Sequence, residues 1–138
     1  NTRTETMIKV KVAEAFDVVL DYMVAVALGG TEPWFDTVDT YWIKLDDEDR
    51  ALSTKWSDQQ NFAPATLWVH GGPIIEQLRS DSAYQFLIES DGDNVHVLSW
   101  PSAHVHFSGY GTTILIAAMR CYVASKLGPE VEVPDELF

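Results

Sequence analysis

Residues 112–129, TTILIAAMRCYVASKLGP, constrain the fold more than any other stretch of the chain. They read as one long apolar helix. Thr112 or Thr113 can cap its start, Lys126 sits in its last turn, and Gly128-Pro129 stops it. Arg120 is the only charge inside the apolar part, so other elements have to cover most of this helix. A second such segment spans residues 13–28. There Phe16, Val19, Leu20, Met23 and Ala27 recur at spacings of three and four, and Gly29-Gly30 ends the pattern. Two core helices are predicted, one near each end of the chain, and apolar residues at 46% of the total supply material for one core.

The intervening segments read as strands and turns. Residues 8–12, IKVKV, alternate apolar and basic types as a half-exposed strand does. Tyr84 to Glu89 and Val95 to Trp100 flank Asp91-Gly92-Asp93-Asn94, which predicts an antiparallel hairpin, and Ala103 to Phe107 adds a third strand after Trp100-Pro101. Val38 to Leu45 reads as a strand, Asp46 to Asp49 as an acidic turn, and Ser57 to Ala63 as a polar loop. Gly71-Gly72 marks a turn or short helical piece before a helix beginning near Pro73, a residue with no N–H to leave unpaired in a first turn. The predicted fold class is α+β: a small antiparallel sheet packed with two main core helices, N-terminal and C-terminal, plus a short middle helix. Residues 1–138 are expected to form a single domain, with the polar, aperiodic residues 1–6 outside the fold.

Charge limits the partners. Against 21 Asp and Glu stand nine Lys and Arg, a formal charge of −12 that repels phosphate backbones and anionic membrane surfaces. Direct nucleic-acid binding is not expected. No apolar run approaches the roughly 20 residues that cross a bilayer, and no basic-then-apolar leader opens the chain, so a soluble cytoplasmic protein is expected. Cys121, the one cysteine, lies in the apolar helical pattern, which points to burial rather than reactivity.

Several constellations invite a chemical reading. His104 and His106 share one face of a strand, and if Val95 to Ser99 pairs with Ala103 to Phe107, His96 joins them in a possible three-histidine metal site. His70 is a further candidate ligand, but no Cys-x-x-Cys or His-Glu-x-x-His accompanies these residues, and no cofactor motif is present. Gly109-x-Gly111 precedes a helix without the lysine of a phosphate loop, so Gly111 is read as a turn residue. Asp17 and Asp21 lie one helical turn apart, and Arg120 is expected to bond one of them where the two core helices pack. The serines lack a nucleophile-elbow frame. Aromatic residues crowd residues 34–68, and Trp34, Tyr41, Trp42 and Trp56, beside Asp46, Asp47, Glu48 and Asp49, form the expected partner surface.

Three stretches resemble a known family. KVKVAEAFDVVLDYMVAVALGG at residues 9–30, with Leu20-Asp21-Tyr22 as its inner motif, is similar to the N-terminal signature of the phage NinX-like family of unknown function. GGPIIE at residues 71–76 and GTTILIAAMRCYVASKLGPEVEVPDEL at residues 111–137 resemble that family's central and C-terminal blocks, in the same order. The resemblance implies a small, acidic, phage- or prophage-encoded accessory protein at work in a bacterial host cytoplasm, and it carries over no catalytic residue or cofactor. The function it implies is binding to a host or phage protein, with counteraction of host defence as one role and a homodimer left open. The alternative reading is a metal-dependent hydrolase or metal-binding protein using His104 and His106.

Overall fold

The computed structural model describes residues 6–36, 40–57 and 59–138. The fold is α+β, and its antiparallel strands are divided among three small sheets rather than gathered in one. Strand β1 (Met7–Lys11) is followed by a 3₁₀ turn (Val12–Glu14), helix α1 (Asp17–Ala27), and strands β2 (Thr31–Phe35), β3 (Tyr41–Leu45) and β4 (Glu48–Ala51). Helix α2 (Trp68–Asp81), strands β5 (Gln85–Asp91), β6 (Asn94–Ser102) and β7 (Val105–Gly111), helix α3 (Ile114–Leu127), strand β8 (Glu130–Pro134) and a last 3₁₀ turn (Asp135–Leu137) complete the order.

Helix α3 occupies the centre. Leu115, Ala117, Ala118, Met119, Cys121, Tyr122 and Val123 are all buried, which accounts for an apolar pattern that wraps round the helix. Thr113 is the cap that forms, accepting the Ile116 N–H at 3.1 Å, and Gly128 ends the helix at a φ of +92°. One face lies on β7 at very close range. A Cβ on Gly109 would sit 2.1 Å from the Ala117 carbonyl oxygen and 2.5 Å from the Cys121 nitrogen. Gly109 and Gly111 are strand residues under the helix, and residues 112 and 113 alone make the turn.

Helix α1 starts at Asp17, later than the periodicity suggests, because residues 12–14 tighten into the 3₁₀ turn and Ala15 and Phe16 are extended at the junction. It packs Leu20, Met23 and Val24 into the same core as α3. β1 pairs with β8, a strand that the sequence reading missed. Lys9 lies opposite Glu132 and Lys11 opposite Glu130, so the exposed face pairs opposite charges while Val131 and Val133 turn inward. Residues 1–5 lie outside the described residues, but Thr6 belongs to the fold: its carbonyl accepts the Asp135 N–H at 2.9 Å.

The middle helix is as long as the C-terminal one and begins five residues before Pro73. Gly71 and Gly72 are helical. Pro73 gives up one intrahelical bond near the N-terminus, and Gly71 lets the helix approach the preceding loop, where a Cβ would meet the Pro64 carbonyl oxygen at 2.4 Å. The β5–β6 hairpin turns at Gly92-Asp93 with φ +61° at Gly92, as a two-residue loop led by glycine requires. The expected strand at 38–45 is found at Tyr41–Leu45; residues 37–39 lie outside the described residues. No helix among the described residues is long and apolar enough to cross a membrane.

Candidate partner-binding face

The β2–β3–β4 sheet presents a row of indoles. Trp34 and Trp42 are cross-strand partners, so both point to the same face, and their rings stack with centroids 5.7 Å apart and planes 11° apart. Trp56, from the segment after β4, continues the row at 5.8 Å from Trp42. Trp34 remains 45% exposed and Trp56 40% exposed, more than apolar rings of this size retain when they serve only a core.

Polar contacts hold Trp42 by its ring and Trp56 by its backbone. Trp42 Nε1–H donates to Asp36 Oδ2 at 2.7 Å, while Asp36 Oδ1 accepts the Thr40 N–H at 2.9 Å. Buried Asn61 holds Trp56 from both sides: its Oδ1 accepts the Trp56 N–H at 3.0 Å and its Nδ2 donates to the Trp56 carbonyl at 2.6 Å. The Asn61 carbonyl in turn accepts from Arg50 through Nε at 2.9 Å and through Nη2. These contacts fix the Trp42 ring and the backbone that carries Trp56 before any partner arrives.

Acidic side chains border the row. Asp46 and Asp47 form a two-residue hairpin loop with φ of +50° and +65°, the positive pair of a type I′ turn, and aspartate tolerates that conformation better than most residues. The turn is narrower than the sequence suggests, since Glu48 and Asp49 already belong to β4. All four carboxylates are exposed. Lys44 sits among them with its Nζ 3.2 Å from Glu32. The Glu32 bond, its charge and those of Asp49 and Asp47 hold the Lys44 ammonium above its ordinary pKa.

Tyr41 does not belong to this face. The β3 pleat turns it inward to 2% exposure, edge-on to Tyr22 at 6.1 Å, because neighbouring strand residues point to opposite sides. Trp68, 57% exposed, belongs to α2 and not to the β2–β3–β4 strands.

The three-histidine site does not assemble. β6 and β7 pair four residues out of the expected register: Val95 to Ser99 lies opposite Gly111 to Phe107, so His96 faces Tyr110. Four residues of strand, roughly 13 Å, separate Tyr110 from His106, and His104 falls in the turn before β7. His96 stacks on Tyr110 at 3.9 Å and His106 on Trp100 at 4.6 Å, so aromatic faces occupy both rings. His96 Nε2 has no hydrogen-bond partner among the described residues. His70 is buried, its Nδ1 accepting the Ala63 N–H at 3.0 Å. No group of three or more His, Cys, Asp or Glu side chains among the described residues could hold a metal ion.

The expected bond from Arg120 to Asp17 or Asp21 is also absent. Arg120 donates through Nε to the Ala15 carbonyl at 2.9 Å and through Nη1 to the Tyr110 carbonyl at 2.7 Å, joining the start of α1 to β7. Asp21 faces elsewhere and accepts the Ala65 N–H at 2.9 Å. Burial raises the Asp21 pKa to about 7, the Ala65 bond opposing the shift and the nearby charge of Asp17 adding to it. Backbone carbonyls satisfy a guanidinium as carboxylates do, and because every residue carries one, no side-chain pattern reveals the pairing.

Comparison with known proteins settles the lineage. The family model of bacteriophage P22 NinX matches residues 11–126. The chain belongs to this family. The match takes in α1, the indole row, the acidic hairpin and α3, so the candidate face lies wholly within the family's NinX domain. No curated protein matches the chain.

Proposed function

We propose that this phage protein acts in the host cytoplasm by binding another protein, host- or phage-encoded, through Trp34, Trp42 and Trp56 and the acidic hairpin Asp46–Asp49. The observation that carries this reading is the continuous row of three indoles, Trp34 and Trp42 on the sheet and Trp56 beside it, with Trp34 and Trp56 exposed and Trp42 and Trp56 held by polar contacts. Indoles supply large contact area with few rotatable bonds and are enriched among the residues that dominate binding energy. The bordering carboxylates favour a basic partner and steer its approach, and screening by salt weakens that contribution. Counteraction of a host defence protein is one role such binding serves.

The experiment compares wild type with the double variant W34A/W56A in capture from host lysate, followed by mass spectrometry. Both rings are exposed enough for truncation to spare the core. The expected result is a partner retained by wild type, lost by the double variant at unchanged circular dichroism, and released as salt rises. Retention of the same partner by the folded double variant would refute the assignment of this face.

A further inference from the structure

Along residues 52–55, just before Trp56 in the chain, a second feature has the chemistry of a binding site. A cleft of about 330 Å³ lies between α1 and residues 52–55, lined by Asp17, Asp21, Ser53, Thr54, Lys55 and Thr66. It adjoins a second recess of about 360 Å³ that shares Asp17 and Thr66 and is walled by Trp68 and the capped start of α3.

The floor of the cleft holds a carboxylate in an unusual state. Asp21 is 4% exposed, and only its Oδ1 is engaged, by the Ala65 N–H at 2.9 Å. Its Oδ2 takes no hydrogen bond, and neither Asp21 nor Asp17 has an ion-pair partner among the described residues. A buried carboxylate without a counter-charge is costly to ionise, and a second carboxylate one turn away makes it costlier. Arg120, the cation closest in pattern, is committed to carbonyls. Among the described residues Lys55 is the one cation lining the cleft, and it forms no ion pair with any of them; its backbone N–H closes a local turn on Ser53 Oγ at 3.0 Å. Among the described residues no other charged side chain lines the cleft.

We propose that this cleft is a receptor for a guanidinium or primary ammonium group, bound between Asp21 Oδ2 and Asp17 with the hydroxyls of Ser53 and Thr66 accepting further N–H bonds. The indole of Trp68 lines the adjoining recess, where it offers a face to the cation or its aliphatic stem. The group can arrive on a free amine or on a protein side chain, and the inference holds whether or not the indole row binds a protein. Binding requires ionised Asp21, so cation entry and proton release are coupled.

Isothermal titration with agmatine, and separately with a blocked peptide carrying one arginine, tests this at pH 6 and pH 8. Agmatine binding identifies a small-molecule source, and binding of the peptide alone identifies a protein source. With Asp21 titrating near pH 7, affinity is expected to be roughly tenfold weaker at pH 6 than at pH 8, with proton release visible in buffers of different ionisation heat. D21N, which keeps an acceptor for the Ala65 N–H, is expected to lose about tenfold or more in affinity and the pH dependence with it. D17N is exposed and safe for folding, and should weaken binding about threefold; K55A should strengthen it by a similar factor. Binding of neither probe, or binding that D21N and D17N leave unchanged, overturns the proposal.

Discussion

The tightest of the glycine positions gives the most direct test of the packing. Replacing Gly109 by alanine places a Cβ 2.1 Å from the Ala117 carbonyl oxygen and 2.5 Å from the Cys121 nitrogen, where ordinary contacts lie above 3.4 Å. Both are backbone atoms of α3, so no side-chain rotation relieves the overlap, and helix and strand have to separate by more than an ångström. α3 cannot retreat freely, because its other faces are buried against α1 and α2 in the same core. Overpacking costs about 1–3 kcal/mol, with a rigid backbone clash at the upper end, and reduced chain entropy in the unfolded state returns about 0.4–1 kcal/mol. A net loss of about 2 kcal/mol corresponds to a Tm lower by roughly 5–10 °C for a domain of this size. Gly72→Ala is the control: it lies inside α2 with nothing within 4 Å of the added Cβ, so helix propensity alone should raise stability by about 0.5–1 kcal/mol. Gly111→Ala, whose Cβ would meet Ile116 Cγ2 at 2.7 Å and the Ala117 nitrogen at 2.9 Å, a smaller overlap than at Gly109, should fall between the two. Calorimetric unfolding that finds G109A as stable as wild type would show that α3 does not sit on β7 as described.

Three further expectations follow from buried and half-buried groups. The Asp21 carboxyl holds its proton to about pH 7 in the fold but only to about 3.8 in the unfolded chain, so the native state binds more protons between those values. Stability from this group is full below pH 3.8 and is lost as pH rises towards 7, an effect on the order of a few kcal/mol. D21N should therefore gain stability over wild type at pH 8 but not at pH 4 in denaturant titrations, and equal gains at both would be contrary. Arg120→Met removes a half-buried bond to the Ala15 carbonyl and one to the Tyr110 carbonyl, which lies at the surface where water replaces it, with an expected loss of about 1 kcal/mol in the same measurement; a neutral result would mean that solvent satisfies both carbonyls equally well. Burial pushes the Cys121 thiol up to about 12 against an opposing bond with the Ser99 backbone, so native protein should react with a disulfide reagent only as fast as it unfolds. Labelling within seconds would contradict the burial.

The legible parts of this fold are those whose signals are local. Thr113 and Gly128 bracket α3 because capping chemistry acts within a few residues, and Asp91 to Asn94 announces its hairpin for the same reason. β2 contains Pro33 in a run that reads as loop, and its strand character comes only from pairing with β3. β8 carries an alternating Glu-Val pattern, yet that strand is completed by β1 from the other end of the chain. α2 reads as broken at Gly71-Gly72-Pro73 because each type disfavours helix by itself; packing of Gly71 against Pro64 overrides propensity there. The indole row was half visible: clustering showed which tryptophans lie near one another in sequence, but strand alternation assigned Tyr41 to the core and Trp42 to the surface.

The segments that resemble the family signature meet around one loop, and that convergence gives the scaffold a purpose beyond the core. Asp21, from the first signature, holds Ala65; Gly71, from the second, lies against Pro64; and Leu115, from the third, is the side chain that a Cβ on Gly71 would strike at 2.5 Å. His70 and Arg50 fasten the same loop at Ala63 and Asn61. Residues 61–66 thus run between the cleft, through Thr66, and the indole row, through the Asn61 clamp on Trp56. A change that loosens the Asp21–Ala65 bond, ionisation among them, acts on a loop whose far end positions Trp56. If the two faces are mechanically joined in this way, D21N should alter Trp56 fluorescence across the pH 6–8 range in which wild type titrates, and an Asn61→Ala variant should abolish that response while leaving the Asp21 titration in place. Identical fluorescence profiles for wild type and D21N would show that the loop transmits nothing between them.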